Sequence, residues 1–290
     1  MTPNRTSLAR QALVKSVEVR EEAGFNDRTP LCVYEVCRRL KVEVRFVDVS
    51  MEGIYYRAKP PRIMLSALRP LPRRAFTCAH ELGHHVFGHG STIDELKQEP
   101  RGGMCIPNEF LVDAFAGYLL APKIAVCKAF VLRNWDPQSA LPHQVYTVAC
   151  SLGMGYETLA THLAYGLKMI TPARAAELNK CGLPKIRQVL LGQTTSNPLI
   201  IADIHYLQPT VDAEVGTDLF LPAGALSESD GLELVGDLGG GRQFLAKRPG
   251  IFRVQTPNTP WAVMVRVSRK EYVGLCEYRH LEPEEGDDDE

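Results

Sequence analysis

A short motif with two histidines inside an apolar helical run most constrains what this chain can be. The run reads Thr-Cys-Ala-His-Glu-Leu-Gly-His-His over residues 77–85. On a helix, residues four apart share a face, so His80 and His84 can present their imidazoles to one metal ion. Neutral imidazoles are good zinc ligands, and Glu81 is then placed to take a proton from an attacking water. The five-residue pattern His-Glu-x-x-His at 80–84 also occurs by chance, so the flanking sequence has to decide whether it is a metal site.

The flanks favour a helix of about residues 72–88. Pro72 suits a first helical turn, and Gly88 and Gly90 fall where a helix would end. The alternative is a structural histidine pair on a core helix. That arrangement would bury two imidazoles and a carboxylate without a metal to satisfy them, which is costly.

A third metal ligand is predicted on the next helical run, which follows Asn108. Glu109 and Asp113 are four apart there and share a helix face. In such an arrangement one carboxylate binds the metal, and the second fixes a ligand histidine through its other ring nitrogen. A solvated acidic face is the alternative. Three acidic residues of the intervening polar stretch are reserve candidates for the third ligand: Asp94, Glu95 and Glu99.

The two motifs together resemble the ImmA/IrrE family of metallopeptidases. The resemblance rests on the segments 74–85 and 109–122 and extends over roughly residues 5–170. Two positions depart from the family pattern: Asp113 stands where the family more often has Asn, and Ala121 where it often has Met. The resemblance implies a thermolysin-like zinc-peptidase core. It also implies roles for five residues: His80, His84 and Glu109 as metal ligands, Glu81 as general base, and Asp113 as partner of a ligand histidine.

The same resemblance implies a zinc-dependent endopeptidase that cleaves a cytoplasmic helix-turn-helix transcriptional repressor in a stress or mobile-element response. Mn²⁺ and Fe²⁺ are also compatible with two histidines and one carboxylate. Thermolysin-like enzymes hold an extended substrate on an edge strand, for which residues 53–58 are the candidate. Tyr55 and Tyr56 are candidate donors to the developing oxyanion, although tyrosines in strands also serve as cross-strand contacts. The alternative function is a zinc-containing regulatory protein that binds DNA or protein without significant proteolysis.

The pattern of apolar residues predicts an α+β fold with a mainly helical core and a small N-terminal sheet. We expect four segments: a metallopeptidase domain at 1–135, a helical helix-turn-helix-like segment at 136–193, a β-rich domain at 194–281 and a disordered acidic tail at 282–290. The second helix of the helix-turn-helix-like segment is poor in side chains that read bases or phosphates, which argues against direct nucleic acid binding. The β-rich domain is expected to bind an unknown ligand or partner.

Charge and composition describe an ordinary globular protein. The last nine residues carry seven acidic groups, and the rest of the chain has a net charge of +6. Apolar residues make up 45% of the chain, and no run is long and apolar enough for a membrane span. No signal-peptide pattern begins the sequence, so we expect a cytoplasmic location without membrane contact.

Overall fold

The computed structural model describes residues 4–90, 92–94 and 107–281, and for 92–94 it describes the backbone. Glu95, Glu99 and the predicted tail at 282–290 lie outside the described residues, as does the side chain of Asp94. The chain divides into two units, Met1–Gly182 and Leu183–Glu290. The finer division into four segments stays a prediction. The α+β class is confirmed by the elements of both units.

The first unit combines helices with one small sheet. Its helices are α1 (Arg5–Glu22), α2 (Val33–Arg39), α3 (Leu71–Val86), α4 (Pro107–Leu120), α5 (Lys123–Val131), α6 (Pro142–Leu152), α7 (Tyr156–Thr161) and α8 (Pro172–Asn179), with a π-helical turn at His162–Gly166. Its strands are β1 (Glu43–Val47), β2 (Gly53–Tyr56), β3 (Arg62–Ser66) and β4 (Thr92–Asp94). The apolar helical run therefore forms the predicted helix α3, and strands β1, β2 and β3 belong to the predicted small N-terminal sheet.

The sheet of this unit has the order β1-β3-β2-β4. Strands β1 and β3 run parallel, and β2 runs antiparallel to both β3 and β4. The expectation that residues 53–58 form an edge strand is therefore wrong. After α3 the chain returns to the sheet, and the backbone of Ile54 lies opposite Ile93. Both hydrogen-bonding edges of β2 are thus paired with strands of the protein itself.

Helices α1, α3 and α4 form the helical centre of the first unit. Gly83 of α3 allows α4 to come close, because a Cβ atom at this position would lie 2.9 Å from Cβ of Val112. Any larger residue would push the two helices apart. This close approach carries residues of α4 to the histidines of α3.

A buried arginine connects α1 to the end of α4. The guanidinium of Arg20 donates to the carbonyl oxygens of Asn26, Thr29 and Leu119, and its residue is 1% exposed. Burial lowers its pKa to about 10, an effect that Asp27 opposes. Arg20 is therefore still a cation at neutral pH. The carbonyl of Leu119 belongs to the last turn of α4, where the helix dipole favours a positive charge.

His162 is buried in a narrow space between two glycines. Its Nε2–H donates to the carbonyl oxygen of Ala121 over 3.1 Å. A Cβ atom at Gly117 would lie 2.7 Å from Nδ1 of this ring, and one at Gly166 would come closer still. Burial lowers the pKa of His162 to about 4, against the smaller opposing effect of the bond to Ala121. The ring is therefore neutral at physiological pH.

The stability of the protein is expected to fall as the pH drops from 6.5 towards 4, in part through His162. In the unfolded chain this histidine takes up its proton near the ordinary value of 6.5, whereas the folded state resists protonation until about 4. Between these values the unfolded state binds more protons, so the contribution of His162 is complete above 6.5 and is lost below it, by up to about 3 kcal/mol.

Urea unfolding between pH 4 and 7 measures this contribution when the wild type is compared with His162→Gln. The glutamine amide keeps a donor for Ala121 but does not titrate. The free energy of unfolding of the variant should depend less steeply on pH. An identical pH dependence in both proteins would contradict this explanation.

The second unit is β-rich, as the sequence predicts. It begins with helix α9 (Leu183–Leu191) and contains two four-stranded sheets, ordered β5-β7-β10-β9 and β6-β12-β11-β8. The strands are β5 (Leu199–Ile201), β6 (Thr210–Glu214), β7 (Asp218–Pro222), β8 (Leu226–Ser227), β9 (Leu232–Leu238), β10 (Gly241–Ala246), β11 (Gly250–Gln255) and β12 (Ala262–Ser268), followed by the short β13 (Gly274–Leu275). Their inward side chains form one apolar core that includes Phe244 and Trp261.

No single helix of the described residues is both long and apolar enough to cross a membrane. The consecutive helices α4 and α5, bent by 41° at their junction, meet the length and composition criteria only as a pair.

Candidate metal centre

Helix α3 carries the histidine motif and ends in a turn that depends on glycine. Pro72 occupies its first turn, as predicted. At its other end Gly88 has a φ of 71°, which glycine adopts at little cost. The N–H of Gly88 bonds to the carbonyl of His85, and the N–H of His89 bonds to that of His84. These two bonds form a Schellman motif, which folds His89 back over the last turn of the helix.

Three predicted ligands meet between α3 and α4. The ligand atoms of His80, His84 and Glu109 all lie within 4.8 Å of one another. The two Nε2 atoms are 3.2 Å apart, and the Glu109 carboxylate oxygens lie 3.4 Å from Nε2 of His80 and 3.7 Å from Nε2 of His84. Tetrahedral zinc with bonds of about 2.0–2.2 Å separates its ligands by roughly 3.3–3.6 Å. The donor set and its spacing therefore fit a zinc ion.

Asp113 orients the first of these histidines. Its Oδ1 accepts a hydrogen bond from Nδ1 of His80 over 2.9 Å. A carboxylate accepts only, so the ring hydrogen of His80 lies on Nδ1, and Nε2 presents a lone pair towards His84 and Glu109. Glu109 and Asp113 lie one turn apart on α4, which allows one helix to supply both a ligand and the partner of another.

His84 is held in a different way. Its Nδ1 lies 3.0 Å from Nδ1 of His89. Burial is the main cause that lowers the pKa of His84 to about 4, and the neighbouring His80 lowers it further, whereas Glu109 raises it. A neutral imidazole at physiological pH is the form that can bind a metal. Burial also lowers the pKa of His89.

Glu81 follows His80 on α3, and its residue is fully buried at 0% exposure. Gly53 of β2 lies against it. A Cβ atom at Gly53 would come within 3.2 Å of Cγ of Glu81 and 2.5 Å of Cγ2 of Thr77. The absence of a side chain at Gly53 thus makes room for the carboxylate that is the predicted general base.

The two predicted oxyanion donors are in different environments. Tyr55 is buried at 3% exposure, and its hydroxyl lies 2.9 Å from Nδ1 of His85. Burial raises the pKa of Tyr55 and lowers that of His85, so this hydrogen bond joins a neutral tyrosine and a neutral imidazole. Tyr56 is half-exposed. The oxyanion role of either residue stays a prediction.

Two contributors to this centre were missed by sequence reasoning. Neither His89 nor Gly83 was among the predicted site residues. Gly88 is the signal that could have found His89. A glycine just after a helix predicts a Schellman turn, and this turn brings the next residue, His89, over His84, which lies five positions earlier. Gly83 stands between the two ligand histidines, where a helix that must approach another closely would place its smallest residue.

Comparison with known proteins places the site within one family. Residues 37–163 match the model of the IrrE N-terminal-like domain, Peptidase_M78. No curated protein matches the chain. Among solved structures, the chain is similar to a Mycobacterium tuberculosis transcriptional regulator, with 19% sequence identity and a TM-score of 0.35. That match covers 53% of this chain and 46% of the other, so it spans about half of each. The segment 37–163, with both helices of the metal centre, therefore belongs to the ImmA/IrrE family of metallopeptidases.

Proposed function

We propose that this protein is a zinc-dependent endopeptidase that hydrolyses a peptide bond of a specific cytoplasmic protein. The observation that carries the proposal is the convergence of His80, His84 and Glu109 at the spacing of tetrahedral zinc. Within the part of the chain that the structure describes, three protein ligands converge, which leaves a fourth position open, as catalytic zinc sites require. The occurrence of this group in a metallopeptidase-family domain supports the same function.

His80, His84 and Glu109 would hold the metal, and Mn²⁺ and Fe²⁺ suit the same donors. Zinc at such a site supplies Lewis acidity, which polarises a carbonyl and favours deprotonation of water. Asp113 keeps the ring hydrogen of His80 on Nδ1 and so keeps Nε2 available as a ligand. Each of these side chains thus contributes binding or orientation, and none needs to change its protonation state.

Glu81 would carry the proton transfers. Its carboxylate takes a proton from the attacking water and then delivers it to the nitrogen of the departing amine, so that the carboxylate is regenerated at the end. A carboxylate on the same rigid helix as two ligands is well suited to this, because its distance from them is set by the helix.

The substrate would be a helix-turn-helix transcriptional repressor, cleaved in a stress or mobile-element response. This part of the proposal rests on the resemblance to ImmA/IrrE proteins, whose domain is present at 37–163. Cleavage of a repressor would connect the metal centre to the regulation of transcription without contact between this protein and DNA. The β-rich second unit is then a candidate for partner or ligand binding.

Mapping of new protein N-termini tests the proposal. Zinc-loaded protein is incubated with an extract of the source cells, and Glu81→Gln protein serves as the control. We expect a small set of new N-termini that depends on Glu81 and includes a helix-turn-helix protein. The contrary result has two parts: the metal-loaded protein produces no such termini, and a purified helix-turn-helix partner binds it and remains intact. This result would instead favour a zinc-containing binding protein without proteolysis.

A further inference from the structure

We propose that His89 is a positioning residue for the metal centre, which holds His84 in the ring orientation and tautomer that a metal ligand needs. The inference rests on the proposed function, since it assumes that His84 binds a metal. It assigns to His89 a role that the histidine motif itself does not contain, because His89 lies beyond the end of α3.

The positions of the ring nitrogens determine which of them carries hydrogen. Nε2 of His84 faces Nε2 of His80 and the Glu109 carboxylate, so it must present a lone pair if a metal is to bind there. The hydrogen of the neutral His84 ring is then on Nδ1. Nδ1 of His89 lies 3.0 Å away and must accept it, which leaves the hydrogen of His89 on Nε2. One hydrogen bond thus fixes both tautomers.

Backbone and ring contacts keep His89 in this place. The Schellman turn at Gly88 reverses the chain, and the backbone N–H of His89 bonds to the carbonyl of His84 over 2.9 Å. The His89 ring stacks on Phe87, with centroids 6.0 Å apart and planes 25° from parallel. Phe87 in turn meets Phe115 of α4 edge to face at 5.8 Å. These contacts therefore hold Nδ1 of His89, the acceptor, in place without a bound metal.

The two ligand histidines differ in the chemistry of their partners. His80 donates to the carboxylate of Asp113, whereas His84 donates to an uncharged imidazole. A carboxylate partner both orients a ligand and increases its basicity. An imidazole partner adds no charge, so the contribution of His89 is mainly orientation. Loss of partners of this kind typically weakens metal binding about 10–100-fold.

The test measures the zinc dissociation constant of full-length protein by competition with a chromophoric chelator. His89→Ala and His89→Phe remove the acceptor, and His89→Phe keeps an aromatic ring that can stack on Phe87. His89→Asn keeps an acceptor, its amide oxygen. His85→Phe is the matched control, because it removes a neighbouring imidazole whose contact is with Tyr55. Visible absorption of the cobalt-loaded proteins reports the ligand field, and thermal unfolding of the metal-free proteins reports the fold.

We expect His89→Ala and His89→Phe to bind zinc about 10–100-fold more weakly than wild type, with altered cobalt spectra and unchanged metal-free melting. His89→Asn should recover most of the affinity, and His85→Phe should bind like wild type. Wild-type affinity in His89→Ala, or equal losses in His89→Phe and His89→Asn, would overturn the inference while leaving the proposed function intact. A wild-type protein that binds no zinc would overturn both.

Discussion

Replacement of Glu81 by glutamine is expected to slow peptide hydrolysis strongly while zinc stays bound. Glutamine has nearly the same shape but cannot take a proton from water, so the rate should fall by about 10²–10⁴-fold. That loss corresponds to roughly 3–5 kcal/mol of transition-state stabilisation. The measurement is the rate of substrate cleavage at saturating metal, together with the zinc content of the same preparations.

Asp113→Asn is the matched control for this prediction. It is also a change from carboxylate to amide, but it keeps an oxygen that can accept from Nδ1 of His80. It should weaken metal binding modestly and, once zinc is saturating, retain most of the activity. A Glu81→Gln protein as active as the wild type would contradict the general-base role. A variant that is slow only because it has lost zinc would contradict it as well.

Replacement of Arg20 by methionine is expected to lower the free energy of unfolding by about 3–5 kcal/mol. Methionine fills much of the volume, but it leaves the carbonyls of Asn26, Thr29 and Leu119 without this buried donor. The carbonyl of Leu119 is buried, and a buried acceptor that loses its donor costs about 1–3 kcal/mol; the bonds to Asn26 and Thr29 are only partly buried and each contribute less. Because Leu119 lies in the last turn of the helix that carries Glu109, we also expect weaker zinc binding. Urea unfolding and zinc titration measure the two effects.

Arg38→Met is the control for the arginine change. Arg38 is 65% exposed and pairs with Glu35 on the surface of α2. Exposed pairs of this kind contribute about 0–1 kcal/mol, so this variant should unfold almost like the wild type. Equal losses in Arg20→Met and Arg38→Met would show that the link between α1 and α4 contributes little.

Much of the first unit follows from local sequence patterns. The apolar period and Pro72 predict α3, and four-residue spacing places His80 with His84 and Glu109 with Asp113 on single helix faces. The alternation of apolar and polar residues over 42–47 predicts β1 for the same local reason. The third ligand on α4 was predicted from the spacing of Glu109 and Asp113, and the family resemblance implied the same ligand set.

Contacts between distant segments were harder to predict. The prediction that residues 53–58 form an edge strand was wrong because β4, which follows α3 in the chain, pairs with β2. No local pattern in β2 indicates that partner. The space for Glu81 depends on Gly53, which lies in a different element. The environment of His162 likewise depends on Gly117 and Gly166, whose importance appears only when the ring is placed between them. Such close approaches are properties of packing, not of one segment.

The most direct test of this account is the zinc content of purified wild type beside His80→Ala and Glu109→Gln, measured by elemental analysis after zinc is supplied. We expect one zinc per chain in the wild type, and loss or marked weakening of zinc binding in both variants, because each variant removes one of the three converging ligands. Full retention of zinc in Glu109→Gln would assign the third ligand to another residue. A wild-type protein that holds no zinc would contradict the central claim.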